Sequence, residues 1–263
     1  MDSSPPITKP KKRFHRTRRA AKYSAYAVGT LLVAYALALY FIFFVFQHTS
    51  ITPPAHNALP TYASPEDALR GKNLITHLDQ SASKEIQPIN IVIVVPPSST
   101  IVDEFSKLQW MQSPIFSNGS VTMGSLYSLI RQGVMPVADL YFNGAKQEYA
   151  FQNQSHSITH REHIRLWTLG QLGDTGATIY AGSISYDNGI GLFNYNKFIV
   201  PLHQIDPNVD ASRDEFLATA VGVNAIAQNW YDPIGIVRAR ATGNAADEQS
   251  FFSDGRILIL YLR

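Results

Sequence analysis

The sequence predicts an α+β fold: a mostly antiparallel sheet with two to four helices, preceded by one N-terminal transmembrane helix. Three observations predict it. Residues 23–46, YSAYAVGTLLVAYALALYFIFFVF, carry no charge and follow a basic stretch. From Pro136 onward, runs that alternate apolar and polar residues recur between turn residues, the period-two signature of strands. Short segments with helix-start chemistry precede and interrupt those runs.

Taken in order, residues 1–22 are a basic tail. It carries Lys9, Lys11, Lys12, Arg13, Arg16, Arg18, Arg19 and Lys22 against a single acid, Asp2. Residues 23–46 are the span, since a helix of that length reaches roughly 36 Å and a hydrocarbon core is ~30 Å thick. The run is longer than a signal-peptide core and ends in Phe43, Phe44, Val45 and Phe46 rather than in a small-residue cleavage site, which favours an uncleaved anchor. The basic flank keeps the N-terminus cytoplasmic and sends the rest outside, so the expected location is the inner (plasma) membrane with an extracytoplasmic domain. The formal net charge of +2 hides an asymmetry: residues 1–46 carry +7 and residues 47–263 carry −5. An acidic outer part excludes a nucleic-acid partner. The expected partners are the bilayer, through residues 23–46, and an envelope lipid or membrane enzyme. The chain has no cysteine, so disulfides, thiol nucleophiles and Cys-based zinc sites are excluded. Asn118-Gly-Ser120 and Asn153-Gln-Ser155 are formal glycosylation sequons.

Residues 47–63, rich in Pro, Thr and Ala, read as an extended linker, and residues 64–263 as the exported domain, with its compact core over about 88–262. Ser64-Pro65-Glu66-Asp67 starts a helix, with Ala68, Leu69, Ile75 and Leu78 as its apolar stripe and Gly71 as a weak point. Ile89 to Val95 is a buried strand ended by Pro96-Pro97. Thr100 caps a helix that buries Ile101, Phe105 and Leu108. A further helix covers Met123–Arg131. Asn143-Gly144 between VADLYF and AKQEYAFQ marks a hairpin. Strands follow at 163–169, 177–187 and 198–206. Asp210 then caps a helix with Phe216, Leu217, Ala220 and Val221 on one face. Strands near Ala225–Trp230 and Arg256–Leu262 close the chain.

Five blocks in this order, PVADLYFNGAKQEYAFQ, REHIRLW, YAGSISYD, LHQIDPNVDASRDEF and FFSDGR, resemble the LssY C-terminal domain family over roughly residues 88–262. Arg161-x-His163-x-Arg165-x-Trp167 and the His203, Asp206, Asp210, Arg213, Asp214 block carry most of the resemblance. It implies a domain often joined to a membrane phospholipid phosphatase of the PAP2 type, with a biochemical role of its own that is poorly defined. The acid expected before Arg213 is Ser212 here, and no Pro-Ser-Gly-His turn occurs in the chain. A phosphatase served by this domain would therefore be another chain.

Two constellations can carry chemistry. Arg161, His163, Arg165 and Trp167 alternate with Glu162, Ile164 and Leu166, so on a strand they share one face. Guanidinium groups beside an imidazole suit a phosphate or carboxylate ligand; the alternative is a solvated face or structural pairing. In the second, Asp206 is placed to orient His203 for acid–base work. The same acids also explain a helix start, with Asp210 at the cap and Arg213 tying the first turn. The expected roles are His163, His203 and Asp206 in catalysis, and Arg161, Arg165, Trp167, Asp210 and Arg213 in ligand binding. His156, His160 and His163 lack metal-site spacing, and no nucleotide, zinc-protease or serine-hydrolase motif is present, so neither metal nor cofactor is expected. A binding or accessory module of the envelope is the first functional expectation. A hydrolase acting on a phosphorylated or acylated envelope compound is the alternative.

Overall fold

The computed structural model describes residues 13–44, 58–78, 80, 85–115, 128–155, 157, 159–195, 198–223, 225–233 and 251–263. Residues 1–49 and 50–263 are separate units. The first contains one helix, α1 (Arg13–Phe44). Among the described residues no helix is long and apolar enough to cross a membrane. The side chains of α1 are described only through Leu37, so the last nine residues of the uncharged run lie outside that description, as do most of the basic tail and the linker residues 47–57.

The second unit is α+β, with one large mixed sheet and one small antiparallel sheet. Its first helix, α2 (Pro65–Leu69), is capped as its sequence implies: Ser64 Oγ accepts from Asp67 N at 3.2 Å, and Pro65 opens the first turn. The helix is shorter than its apolar stripe suggests. Gly71 adopts φ +75°, a left-handed conformation that glycine takes at little cost, and the chain turns out of the helix. Ile75 therefore lies on a strand, β2 (Ile75–His77), paired with β3 (Glu85–Pro88). β4 (Ile91–Val95) follows, buried throughout, and then α3 (Ile101–Lys107), whose cap Thr100 accepts from Asp103 N at 3.2 Å. β5 (Trp110–Gln112) has no sequence signal long enough to have been read. Residues 128–131 are helical (α4); the rest of the helix expected at 123–131 lies outside the described residues. β6 (Tyr141–Phe142) and β7 (Ala145–Lys146) flank Asn143 at φ +48° and Gly144 at φ +81°, the pair of left-handed residues a tight hairpin requires.

The long strands come next: β8 (Tyr149–Asn153), β9 (His160–Leu172), β10 (Thr178–Tyr195) and β11 (Phe198–Ile205). After α5 (Val209–Val223), β12 (Ala225–Tyr231) and β13 (Ile257–Leu262) return to the sheet. The large sheet runs β12-β13-β4-β10-β9-β8-β5, with β11 also on β10 and β1 (Thr61–Tyr62) also on β9. β13–β4 and β1–β9 are parallel pairs, so the sheet is mixed rather than purely antiparallel. The end of the stretch read as linker is thus part of the fold. Gly170 makes room for it, since a Cβ there would run into the carbonyl oxygen of Pro60 and the ring of Tyr62. The small sheet has the order β3-β2-β6-β7.

The two faces of the large sheet bury different partners. One face, with Ile91, Ile93, Ile164 and Leu166, packs on Phe105 of α3 and on Phe216 and Ala220 of α5. Val221 of α5 is exposed instead, which narrows that helix's buried stripe. The opposite face, with Val92, Val94, Trp167 and Ala181, packs on α2 and on Leu140 and Phe142 near the small sheet. Burying large aliphatic and aromatic side chains on both faces contributes about 1.5–3 kcal/mol each, which explains how the domain holds without cross-links.

Candidate functional site

The second face changes character along β9 and β10. Side chains of a strand alternate, so Trp167, Arg165, His163 and Arg161 point to one side. On β10 the same side carries Ile179, Ala181, Ser183, Ser185 and Asp187. Antiparallel register sets Arg165 opposite Ser183, His163 opposite Ser185 and Arg161 opposite Asp187. The face is apolar at the Trp167–Ala181 end and becomes a buried polar cluster at the other. Trp167 belongs to the apolar end: its indole packs on Phe142, and Nε1 donates to Ala145 O at 3.0 Å.

Asp187 is the centre of the cluster. Arg161 Nε donates to its Oδ2 at 3.0 Å. His163 Nδ1 lies 3.5 Å from Oδ1, and His203 Nδ1, on β11, lies 3.1 Å from Oδ2. Burial opposes the charge of Asp187, but His163, His203 and Arg161 hold its carboxyl well below the usual carboxylate range. His163 is buried among these groups. Burial drives its pKa down to about 3; Asp187 offsets part of that, while Arg165 and Arg161 add to it. His163 is therefore neutral at neutral pH.

A directional chain of hydrogen bonds fits that neutral ring. Gln87 Nε2 on β3 donates to Ser185 Oγ at 3.1 Å, and Ser185 Oγ lies 3.3 Å from His163 Nε2. Ser183 Oγ donates to Gln87 Oε1 at 3.1 Å. Ser185, His163 and Asp187 thus stand in the order of a serine–histidine–aspartate relay. Ser185 is not presented as a nucleophile, however. It is fully buried and its oxygen already accepts from Gln87. The bonds of Gln87 to Ser183 and Ser185 tie the two sheets together.

The two arginines differ in how well they are paired. Arg161 Nη1 donates to Met135 O at 3.0 Å and to Gln152 Oε1, in addition to the Asp187 bond. Arg165 retains 8% exposure, makes one long bond, Nε to Ala138 O at 3.4 Å, and leaves its buried Nη1 without a hydrogen-bond partner among the described residues. Burial lowers its pKa to about 10, against the opposing pull of Asp187 and Asp139 and with the added push of Arg161.

The second constellation is a different object. Asp206 Oδ1 accepts from Asn208 N at 2.8 Å and shapes the turn into α5. The carboxylate that faces His203 is that of Asp187, because β11 runs beside β10. Asp210 lies inside the first turn of α5 rather than at its cap. Its carboxylate accepts from Ser253 Oγ, Asp254 N and Arg213 Nη1. Arg213 is fully buried; Nε donates to Asp214, Nη1 to Asp254 and to Arg256 O, and Nη2 to Asp254. Its guanidinium also stacks 4.7 Å from the centroid of Trp230. Asp206, Asp210 and Arg213 therefore fasten α5 and the segment 253–256.

The sequence reading missed Asp187, Gln87 and Gln152. Asp187 carried a signal: the row Ala181, Ser183, Ser185, Asp187 has the same period as Arg161, His163, Arg165, and the turn at 173–176 brings the two rows side by side on one face. Gln87 and Gln152 carried none. Of the three clustered histidines, His156 lies outside the described residues and His160 is exposed with Nδ1 on Thr159 Oγ1. No group of three or more ligating side chains that would hold a metal ion exists among the described residues.

These features define a two-sheet α+β domain with a charged, buried inter-sheet site. The chain belongs to the LssY C-terminus family, whose model matches residues 71–257, from the turn after α2 to the start of β13. No curated protein and no solved structure matches the chain.

Proposed function

We propose that this chain is a membrane-anchored module of the cell envelope that binds an anionic ligand bearing a phosphate or carboxylate group at Arg165. The single observation that carries the reading is the orphaned donor Arg165 Nη1. A buried cation left without acceptors costs several kcal/mol, and an anion with two or more oxygens relieves that cost through charge-assisted bonds. Arg161 and Asp187 pair with each other, whereas Arg165 feels Asp187 and Asp139 only through their charge and makes no ion pair among the described residues. The anchor rests on the uncharged run 23–46 and its basic flank, which favour a cytoplasmic N-terminus and an extracytoplasmic position for residues 47–263.

A second reading has one observation in its favour. His203 keeps 28% of its side chain exposed while Nδ1 lies 3.1 Å from the Asp187 carboxylate, the arrangement of an acid–base pair that reaches solvent. In that reading the domain hydrolyses a phosphorylated or acylated compound. One experiment tests both. Full-length chain in phosphatidylcholine nanodiscs is titrated with inorganic phosphate and with acetate by calorimetry, then assayed with p-nitrophenyl phosphate and p-nitrophenyl acetate. Saturable binding that disappears in Arg165→Met, with no turnover above His203→Ala, is the expected result. Turnover lost in His203→Ala would replace the first reading by the second. Absence of any binding would remove the anion site.

A further inference from the structure

Residues 133–140 lie across the two arginines without helical or strand structure of their own, apart from a bridge from Val137 to Ile115. Two buried glutamines hold them. Gln152 Nε2 donates to Gly133 O at 2.7 Å, and its Oε1 accepts from Met135 N at 3.1 Å. Gln147 Nε2 donates to Ala138 O at 3.0 Å, and its Oε1 accepts from Leu140 N at 2.7 Å. Val134, Pro136, Val137 and Leu140 are buried, Asp139 is partly exposed and Ala138 is exposed. The segment is thus pinned at residues 133–135 and at residues 138–140, and reaches solvent at Ala138 and Asp139.

Its carbonyls occupy the guanidinium donors: Met135 O takes Arg161 Nη1 and Ala138 O takes Arg165 Nε. A neutral carbonyl is a weaker acceptor for a charged donor than an anionic oxygen is. The two ends differ in quality. The bond at Arg161 is 3.0 Å and accompanied by a carboxylate, whereas the bond at Arg165 is 3.4 Å and leaves Nη1 unmet. Arg165 Nη1 is also sealed from solvent, so an anion reaches it only when the atoms around it move.

We infer that the tip Ala138–Asp139 is a displaceable strap: Ala138 O holds the place of an anion oxygen on Arg165, and ligand binding exchanges one for the other. The inference rests on the anion-binding reading above. Two residues then set affinity without touching the ligand. Gln147 retains the strap in its closed place. Asp139, whose charge acts on Arg165, opposes an incoming anion. Arg161 and its Met135 O bond remain in place throughout.

The test uses full-length chain in nanodiscs. The free-anion arm titrates inorganic phosphate into phosphatidylcholine nanodiscs; the lipid arm compares phosphatidylglycerol with phosphatidylcholine nanodiscs and follows hydrogen exchange of residues 133–142. Gln147→Ala removes the two bonds that close the strap and is expected to tighten phosphate binding about tenfold. Asp139→Asn, at a partly exposed position, is expected to tighten it about three- to fivefold. Faster exchange in residues 133–142 with phosphate supports the exchange of Ala138 O for a free anion, and the same change with phosphatidylglycerol alone assigns the headgroup as its source. Binding that is lost in Arg165→Met but unchanged or weakened in both Gln147→Ala and Asp139→Asn overturns the strap and leaves the anion site standing. If neither wild type nor Gln147→Ala responds to phosphate or phosphatidylglycerol, the anion site falls and the strap with it.

Discussion

Arg213 and Arg165 are both buried in this domain, and the contrast between them separates structure from function. Arg213 meets three carboxylates, a carbonyl and an indole, and burial there is overcome: the hydrogen bonds it donates to Asp254 and Asp214 hold its pKa above the usual value. Asp254 shows the other half of the exchange, since against the effect of burial Arg213 and Arg256 bring it down to about 2. Arg165 has one long bond to a carbonyl and an unmet nitrogen, and its pKa falls. Satisfied buried charge marks a fastening. Unsatisfied buried charge marks a place waiting for a partner.

The largest expected effects test the fastened side. Arg213→Met removes the buried cation between Asp210 and Asp254, leaving Asp254 only Arg256 as a partner, and Asp187→Asn leaves Arg161 buried without its anion. Each is expected to cost about 3–5 kcal/mol, a fall in Tm of roughly 10 °C by calorimetry. A loss below ~1 kcal/mol in Arg213→Met would mean that the fastening contributes little. Arg165→Met tests the other side and has the opposite sign. It removes an orphaned cation from a closed space, so stability at neutral pH is expected to hold or to rise by up to about 2 kcal/mol. A loss as large as that of Arg213→Met would end the comparison.

A smaller, pH-shaped effect extends the contrast to an acid. Glu162, on the α5 face of β9, is buried beside Glu215 of α5, with Asn153 Nδ2 donating to its Oε2 at 3.2 Å. Burial and then Glu215 raise its pKa to about 7, although Asn153 opposes the shift. A carboxyl raised on folding favours the folded state at low pH, and that contribution fades as pH climbs from about 4.5 to about 7. His163 has the reverse dependence: its pKa, lowered mainly by burial, removes stability as pH falls from about 6.5 toward 3. In wild type the two slopes oppose each other. Glu162→Gln keeps the bond from Asn153 and removes the carboxyl, so its Tm is expected to exceed wild type at pH 8 by a few degrees. It is also expected to fall steadily from pH 6.5 downward, where wild type is flatter. Parallel Tm–pH curves for the two proteins would refute the assignment.

Much of the fold is legible in the chain because local chemistry and tertiary packing agree there. Ser64 and Thr100 cap helices as read, Asn143-Gly144 turns a hairpin, and the long alternating runs became β9, β10 and β11. The failures have local causes. Ile75 and Leu78 fit a helical stripe on paper, yet Gly71 diverts the chain and β2 pairs with β3. β5 is too short to show a period. For the site, Arg161, His163 and Arg165 were legible as one face, and His203 lies against the same carboxylate as His163. Asp206 and Asp210 were read from nearness in sequence, but the sheet places β10 between the two histidines, so the shared acid is Asp187. Gln87 and Gln152 act from other strands, and strand order, which composition does not encode, decides which glutamine reaches which serine or arginine.

The short strand β1 has a consequence for any ligand that resides in the bilayer. Because Thr61 and Tyr62 are pinned to β9 in the groove that Gly170 leaves open, at most residues 47–59 separate the proposed anchor from the domain in sequence. At ~3.5 Å per residue that stretch reaches at most about 45 Å. Under the proposed anchoring, a tether of that contour length gives an effective concentration on the order of 10 mM against a membrane-bound target. A site with only millimolar intrinsic affinity would then be mostly occupied at the membrane and mostly empty against the same ligand free in solution.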